Sequence, residues 1–160
     1  MLTQEERRQQ IAIIRAAPEK FEALVKGLSD EALTAHPLEG EWSVAQNIHH
    51  LADSHMNAYI RFKFILMQEN PTIMPYDQDD WAATADSNSP HIASSLAILR
   101  GLHDRWTALM ASLDDAQWER TGIHPEVGTI TLEWILTHYV EHSQIHIDQI
   151  TRTRAAHTGK

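Results

Sequence analysis

Residues 43–69 read SVAQNIHHLADSHMNAYIRFKFILMQE, and the spacing within this stretch decides the fold class. Its apolar side chains recur at steps of three and four residues, which is the period of one helix face. Ser43 and Gln46 have capping-box spacing, and Trp42 before them is placed to act as a hydrophobic staple. The Asn-Pro pair at 70–71 ends the segment, because a residue before proline avoids helical backbone. We therefore predict a long helix over 43–69, whose apolar face holds Val44, Ile48, Leu51, Tyr59, Phe62 and Leu66.

The same periodicity on either side of this stretch predicts three more long helices. They cover residues 3–27, 89–112 and 131–154. Pro18 lies inside the first and predicts a kink or a split there. Four long helices indicate an all-α, up-down four-helix bundle, with residues 1–160 as one domain.

The connections between these helices differ in length. Short helical turns are expected at 29–33 and 114–118, and a loop or small hairpin at 121–130. Residues 71–90, PTIMPYDQDDWAATADSNSP, form a long loop between the second and third helices. Loops of this length are uncommon in small domains and are often functional. The tail at 155–160 is expected to fray.

The overall composition excludes several classes of function. The net charge of −9 argues against nonspecific nucleic-acid binding, which requires a basic face. Without cysteine there is no disulfide, zinc–thiolate site or cysteine nucleophile. No apolar run approaches the roughly 20 residues of a membrane span, and no signal peptide is recognisable. We expect a cytoplasmic protein.

Histidine is over-represented, with 11 residues, and its placement on the last helix indicates a site. Residues His142 and His146 are four apart, so they share one helix face with apolar neighbours. Two imidazoles that face a core are costly unless they are hydrogen-bonded or bound to a metal. An H-x-x-x-H pair on one face can chelate a metal ion, although satisfied core histidines are an equally good explanation.

A third ligand would come from the helix over 43–69, which offers three histidines. His55 lies in the middle of the apolar stripe, so helical geometry slightly favours it as the buried one. His50 lies beside it in a polar stripe with Asn47, and His49 points further round. The spacing alone leaves the choice open.

A family resemblance resolves that choice. Segments EWSVAQNIHHLADSHMNAYIRFK (41–63), PYDQDDW (75–81), LHDRWTALM (102–110) and HYVEHSQIH (138–146) resemble the DinB-like superfamily, and within it the YfiT-type branch. The resemblance implies a four-helix bundle, a homodimer, and a metal-dependent hydrolase or bacillithiol transferase. It also implies that the second histidine of HHLADS and the H-x-x-x-H pair bind the metal. Those residues are His50, His142 and His146.

Three neutral imidazoles leave coordination positions open, which is typical of catalytic sites. We expect one divalent ion per chain, zinc or nickel foremost. The leading hypothesis is transfer of a low-molecular-weight thiol to a small electrophile. The alternatives are a hydrolase that activates water with help from Asp53 or Asp77, and a non-enzymatic metal-binding dimer module.

Helper residues follow from the polar stripe and the long loop. Arg61 would meet an anionic thiol or substrate, unless it forms a surface salt bridge. Tyr76 and Asp77 would line or cover the pocket, unless Tyr76 serves to pack the loop. Residue His138 could support a ligand or lie exposed. Five more histidines are expected in loops, caps or on the surface without a role: His36, His91, His103, His124 and His157.

Overall fold

Seven helices and one hairpin make up the computed structural model, which describes residues 1–158. The long helices are α1 (Gln4–Val25), α3 (Val44–Met67), α5 (Ala93–Ala111) and α7 (Leu132–Thr158). The short elements are α2 (Asp30–Thr34), α4 (Gln78–Ala82), α6 (Asp115–Trp118), β1 (Thr121–His124) and β2 (Gly128–Thr131). The predicted four-helix bundle is confirmed.

Local sequence signals place the helix starts. Thr3 and Ser43 both form complete capping boxes, with Glu6 and Gln46 as their partners. Such caps satisfy backbone N–H groups that have no partner within the helix. The start of α5 was predicted too early, since the helix begins at Ala93 without a side-chain cap.

The four long helices do not alternate in direction along the chain. Helix α1 packs on α5 and α7, and α3 packs on the same two helices. Residues His49 and His55 of α3 pair with Ser95 and His103 of α5, so α3 and α5 run parallel. The predicted up-down order is therefore not observed, because in that order α5 would run antiparallel to α3.

A long connection makes the parallel arrangement possible. Because α5 runs in the same direction as α3, residues 68–92 must return the chain along the bundle. Gln46 holds this segment by donating from Nε2 to the Ala82 carbonyl at 3.0 Å. Thr72 forms a bridge with Ile123 of β1. The predicted long loop is therefore a crossover that contains α4.

Two apolar clusters fill the interior described by residues 1–158, one near each end of the bundle. Phe62 and Trp106 lie in one, while Phe21 and Leu51 lie in the other. Between the two clusters, polar side chains of α3, α5 and α7 face the interior. This polar layer consists of His50, Ser54, His55, His103, Ser143 and His146, which are buried, and of His142, which is half-buried.

The backbone structure tests three further sequence predictions. Helix α1 runs unbroken through Pro18, so the proline does not split it. The possible hairpin at 121–130 exists as β1 and β2, with Thr121 paired to Thr131. The tail prediction was wrong for residues 155–158, because α7 continues to Thr158. Its last two residues, 159–160, lie outside the described residues.

Candidate metal centre

Three histidines of the polar layer converge at the contact between α3 and α7. Helical periodicity places His142 one turn before His146 on the same face of α7. Helix α3 runs antiparallel to α7, as the pairs Asn47–His146 and Ser54–Tyr139 show, and so brings His50 opposite them. The predicted ligand set is therefore assembled in one place, from two helices that already form the bundle.

The ligand atoms of these three histidines all lie within 4.8 Å of one another. The His142 Nε2 atom is 3.2 Å from the Nε2 atoms of both His50 and His146. Within residues 1–158, the cluster holds three imidazoles and no carboxylate.

Asn47 fixes the tautomer of His146. Its Nδ2 donates to the Ser43 carbonyl at 2.9 Å, so its Oδ1 faces His146 Nδ1 at 2.8 Å. That oxygen only accepts, hence Nδ1 of His146 carries the proton. The Nε2 lone pair of His146 is then directed into the cluster.

Burial keeps the cluster uncharged. Loss of hydration lowers the pKa of His50 to about 3, with a further contribution from nearby His146. It lowers the pKa of His146 to about 4 and that of His142 well below its ordinary value. All three rings are therefore neutral near pH 7, which is the form that binds metal ions.

The indole of Trp42 covers the cluster from one side. Its ring lies 4.7 Å from the ring of His50 and stacks on His146 at 6.2 Å, measured between centroids. The position of Trp42 before the capping box predicted a hydrophobic staple. In the structure its ring also lies against the rings of His50 and His146.

A divalent metal ion fits this donor set. An ion held tetrahedrally at about 2.0–2.1 Å from imidazole nitrogens requires nitrogen separations of roughly 3.3 Å. The two Nε2 separations of 3.2 Å meet that requirement. Three Nε2 atoms that meet at one point cannot all be satisfied by hydrogen bonds among themselves, because each neutral ring has a single N–H.

Comparison with protein families decides the classification. The model of the DinB superfamily matches residues 13–150. The chain belongs to the DinB superfamily. Its relatives in this superfamily include a Bacillus subtilis protein named "Putative metal-dependent hydrolase YfiT", which is 43% identical over 151 residues. The match covers 94% of this chain and 85% of YfiT. A similarly named protein of Oceanobacillus iheyensis is 43% identical over 138 residues, covering 86% of this chain and 80% of its own.

Solved structures agree with this classification. The YfiT structure, described as having an unusual four-helix bundle topology, matches with a TM-score of 0.92 and 42% identity. It covers 96% of this chain and 88% of its own. A mycothiol-dependent maleylpyruvate isomerase matches at a TM-score of 0.65 and 16% identity, covering 94% of this chain and 63% of its own. That second likeness shows a shared fold alone. Together, the three-histidine cluster and the DinB relatives fit a metal-dependent enzyme.

Two cavities in the described residues adjoin the cluster, and His142 lines both. One, of about 350 Å³, lies beside Trp42, Asn47 and His146. The other, of about 510 Å³, is lined by Ser54, Arg61, Tyr76, Asp77, His138 and Tyr139 among others. Gln78 and Asp79 at the start of α4 line both cavities. The crossover thus forms part of the wall of each.

The predicted helper residues lie at the wall of the larger cavity rather than in the cluster. Arg61 donates from Nε to the Met74 carbonyl at 3.0 Å, and its guanidinium lies 5.7 Å from the Tyr76 ring centroid. Burial raises the pKa of Tyr76 to about 12, so its hydroxyl keeps its proton. Asp77 caps α4, since one carboxylate oxygen accepts from the backbone of Asp79 and Asp80.

The remaining histidines of the helix over 43–69 take no place in the cluster. His49 contacts Ser95 Oγ at 2.8 Å and the Ser89 carbonyl at 2.9 Å, so it fastens the crossover. His55 is fully buried, as its place in the apolar stripe predicted, and contacts His103. Residue His138, half-buried, stacks on Trp134 at 4.6 Å.

Sequence reasoning missed two residues beside the cluster. The expectation that His103 is a surface or loop residue was wrong, because it is 1% exposed in the centre of α5. Its spacing from Leu99 and Trp106 on the predicted core face was the available signal. Asn47 was seen only as part of a polar stripe. Its position three residues before His50, on the same side of the helix, was the signal for its role.

Proposed function

We propose that this protein is a metal-dependent enzyme that transfers a low-molecular-weight thiol of the bacillithiol type to small electrophilic substrates. One divalent ion, zinc or nickel, would be bound by His50, His142 and His146. The observation that carries the proposal is the position of His142, which lines two adjoining cavities. A site between two cavities suits a reaction that joins two reactants.

The chemistry of the donor set favours a thiol. When bound, the ion would lower the pKa of a thiol so that thiolate is present near neutral pH. Sulfur then forms a bond to the electrophilic carbon as the leaving group departs with its electron pair, and the thiol proton passes to solvent. No carboxylate in residues 1–158 joins the three imidazoles, so a general base for water is not built into the cluster.

The larger cavity is the proposed electrophile site, and three residues act there. Arg61, half-buried at the wall, would attract a negatively charged group of the substrate. Tyr76 keeps its proton and would donate a hydrogen bond. Asp77 would hold α4, and with it the wall shared by both cavities, in place.

A hydrolase is the second candidate, and the names of the close relatives favour it. In that case water would take the place of the thiol. A non-enzymatic dimer module is the third.

We also propose a homodimer, formed through the exposed apolar side chains Ile60, Phe64 and Met67 of α3. In the described part of the chain, no helix is both long and apolar enough to cross a membrane.

A cobalt-loaded sample tests the proposal against both alternatives. Addition of bacillithiol, below the free thiol pKa of about 8.5, should produce a near-ultraviolet sulfur-to-cobalt charge-transfer band. The zinc-loaded protein should then transfer the thiol to monobromobimane faster than the uncatalysed rate. His50→Ala should lose both signals, whereas the control His49→Ala should keep them. Hydrolysis of p-nitrophenyl acetate without thiol, together with no band, would favour the hydrolase instead.

A further inference from the structure

The buried pair His55–His103 is not used by the proposed reaction, yet it adjoins the cluster. The two rings are nearly coplanar, at an interplanar angle of 13°, and His55 Nδ1 lies 2.7 Å from His103 Nε2. His55 is 0% exposed and His103 is 1% exposed. Two imidazoles at this depth require defined hydrogen-bond roles.

A backbone carbonyl sets those roles. His103 Nδ1 lies 2.6 Å from the carbonyl oxygen of Ile14 in α1. In an uninterrupted helix that oxygen would accept from the residue four positions on, but that residue is Pro18, which has no N–H. The proline therefore leaves the Ile14 carbonyl free to accept from His103. A carbonyl only accepts, so His103 carries its proton on Nδ1.

The same logic fixes the next ring. Both rings are shielded from water, at 0% and 1% exposure, so both are neutral and each has one N–H. With its proton on Nδ1, His103 offers Nε2 as an acceptor. His55 must then donate from Nδ1, and its Nε2 is a lone pair. Among residues 1–158 that Nε2 atom has no hydrogen-bond partner.

The three-histidine cluster contains a second buried ring nitrogen without a hydrogen-bond partner. The Nδ1 atom of His142 is buried and has no partner within the described chain. If Nε2 of His142 binds the metal, its only proton lies on Nδ1 and needs an acceptor. His55 Nε2 and His142 Nδ1 do not form a hydrogen bond in this structure. The ring centroids of His55 and His142 are 5.5 Å apart, against 4.9 Å in the hydrogen-bonded pair His55–His103, so a small movement of the His142 ring is needed to join them.

We infer that His55 is a positioning residue for the metal ligand His142, accepting its Nδ1 proton and so directing Nε2 into the cluster. The inference rests on the proposed metal site. The result is a chain of three imidazoles that begins at the Ile14 carbonyl and ends at the metal. It also assigns a function to Pro18. Because Pro18 has no N–H, the Ile14 carbonyl is free to accept from His103, and this bond sets the orientation of all three rings.

Metal affinity of full-length variants tests this inference, measured by zinc competition with a chromophoric chelator. His55→Leu removes the acceptor and should weaken zinc binding roughly 10- to 100-fold, with one ion per chain retained. His55→Gln keeps an acceptor and a donor, so it should recover most of the affinity. Phe62→Leu, which also removes volume from the core on α3, is the control and should bind zinc as the original protein does. Equal affinity of His55→Leu and the original protein, or an equal loss in Phe62→Leu, would overturn the inference.

Imidazole tautomers give a readout that does not depend on any variant folding. Two-bond ¹H–¹⁵N correlation spectra of the metal-free protein should show His55 and His103 protonated on Nδ1. Zinc loading should produce a slowly exchanging Nδ1 proton on His142. A proton on Nε2 of His55 would contradict the chain. If the original protein binds no zinc, or His142→Ala binds it equally well, the metal site itself fails and this inference fails with it.

Discussion

His146 Nδ1 donates a hydrogen bond to Asn47 Oδ1 at 2.8 Å, and this bond joins α7 to α3 directly behind the three-histidine cluster. It sets which nitrogen of His146 keeps its lone pair. Asn47 is itself held by the carbonyl of the capping residue Ser43. The start of α3 and the orientation of His146, a proposed metal ligand, are therefore coupled.

Replacing Asn47 by Ala should weaken zinc binding about 10-fold or more, because His146 loses the acceptor that fixes its tautomer. Asn57→Ala is a matched control, since Asn57 also donates from Nδ2 to the carbonyl four residues earlier at 2.9 Å. It lies away from the cluster and should leave zinc affinity unchanged. Calorimetric titration of both variants makes the comparison, and equal affinities would refute this role of Asn47.

The metal-free protein should lose stability in mild acid. The unfolded chain takes up protons on histidine below about pH 6.5, while the pKa of His50 is lowered to about 3 and that of His146 to about 4. The free energy of unfolding should therefore fall as the pH drops from 6.5 to about 4. Each such histidine contributes a loss of about 2 kcal/mol at pH 5.

Urea unfolding with a chelator present, at pH 7.5 and pH 5, measures this loss. His146→Gln should reduce the difference in the free energy of unfolding between the two pH values by the contribution of one histidine, about 2 kcal/mol. A urea midpoint that does not change with pH would contradict the burial of neutral histidines.

Gly122 should resist substitution, because β1 lies against α3 at this point. A Cβ on residue 122 would come 2.6 Å from Ile65 Cγ1. Gly122→Ala should therefore destabilise the protein by about 1–3 kcal/mol. Gly101→Ala is the contrasting control, since nothing lies within 4 Å of its Cβ, and in helix α5 it should stabilise by up to about 1 kcal/mol. Thermal unfolding of both variants would show opposite shifts; a stable Gly122→Ala would be inconsistent with this packing.

Arg61 should act on substrate binding and not on metal binding. Arg61→Gln removes the cation at the wall of the larger cavity, so KM for an anionic electrophile should rise while zinc stoichiometry stays at one. Arg105→Gln is the control, because Arg105 also lies over an aromatic ring, that of Tyr59, and does not line that cavity. Steady-state kinetics with the zinc-loaded protein measure the difference. An equal KM for both variants would show that Arg61 does not take part in substrate binding.

Much of the fold follows from local signals. Capping boxes at Thr3 and Ser43 and the apolar stripe of α3 predict helix starts and the buried face. The parallel arrangement of α3 and α5 did not follow, because it depends on how residues 68–92 pack against α3. Contacts such as Gln46 with Ala82 connect residues far apart in sequence, and no local pattern encodes them.

The candidate site divides in the same way. The spacing of His142 and His146 allows a chelating pair, and the family resemblance selected this pair together with His50 as the predicted ligands. The His55–His103 contact needed the bundle, since it joins α3 to α5. Pro18 was recognisable as a helix disturbance, but the acceptor it frees, Ile14, becomes meaningful only when His103 lies opposite.

The most direct test of the metal centre is a crystal structure of the zinc-loaded protein with diffraction data collected at the zinc edge. One anomalous peak per chain should lie about 2.0–2.1 Å from the Nε2 atoms of His50, His142 and His146. A peak on His55 or on surface carboxylates, with the three Nε2 atoms unbound, would contradict the three-histidine site and everything proposed from it.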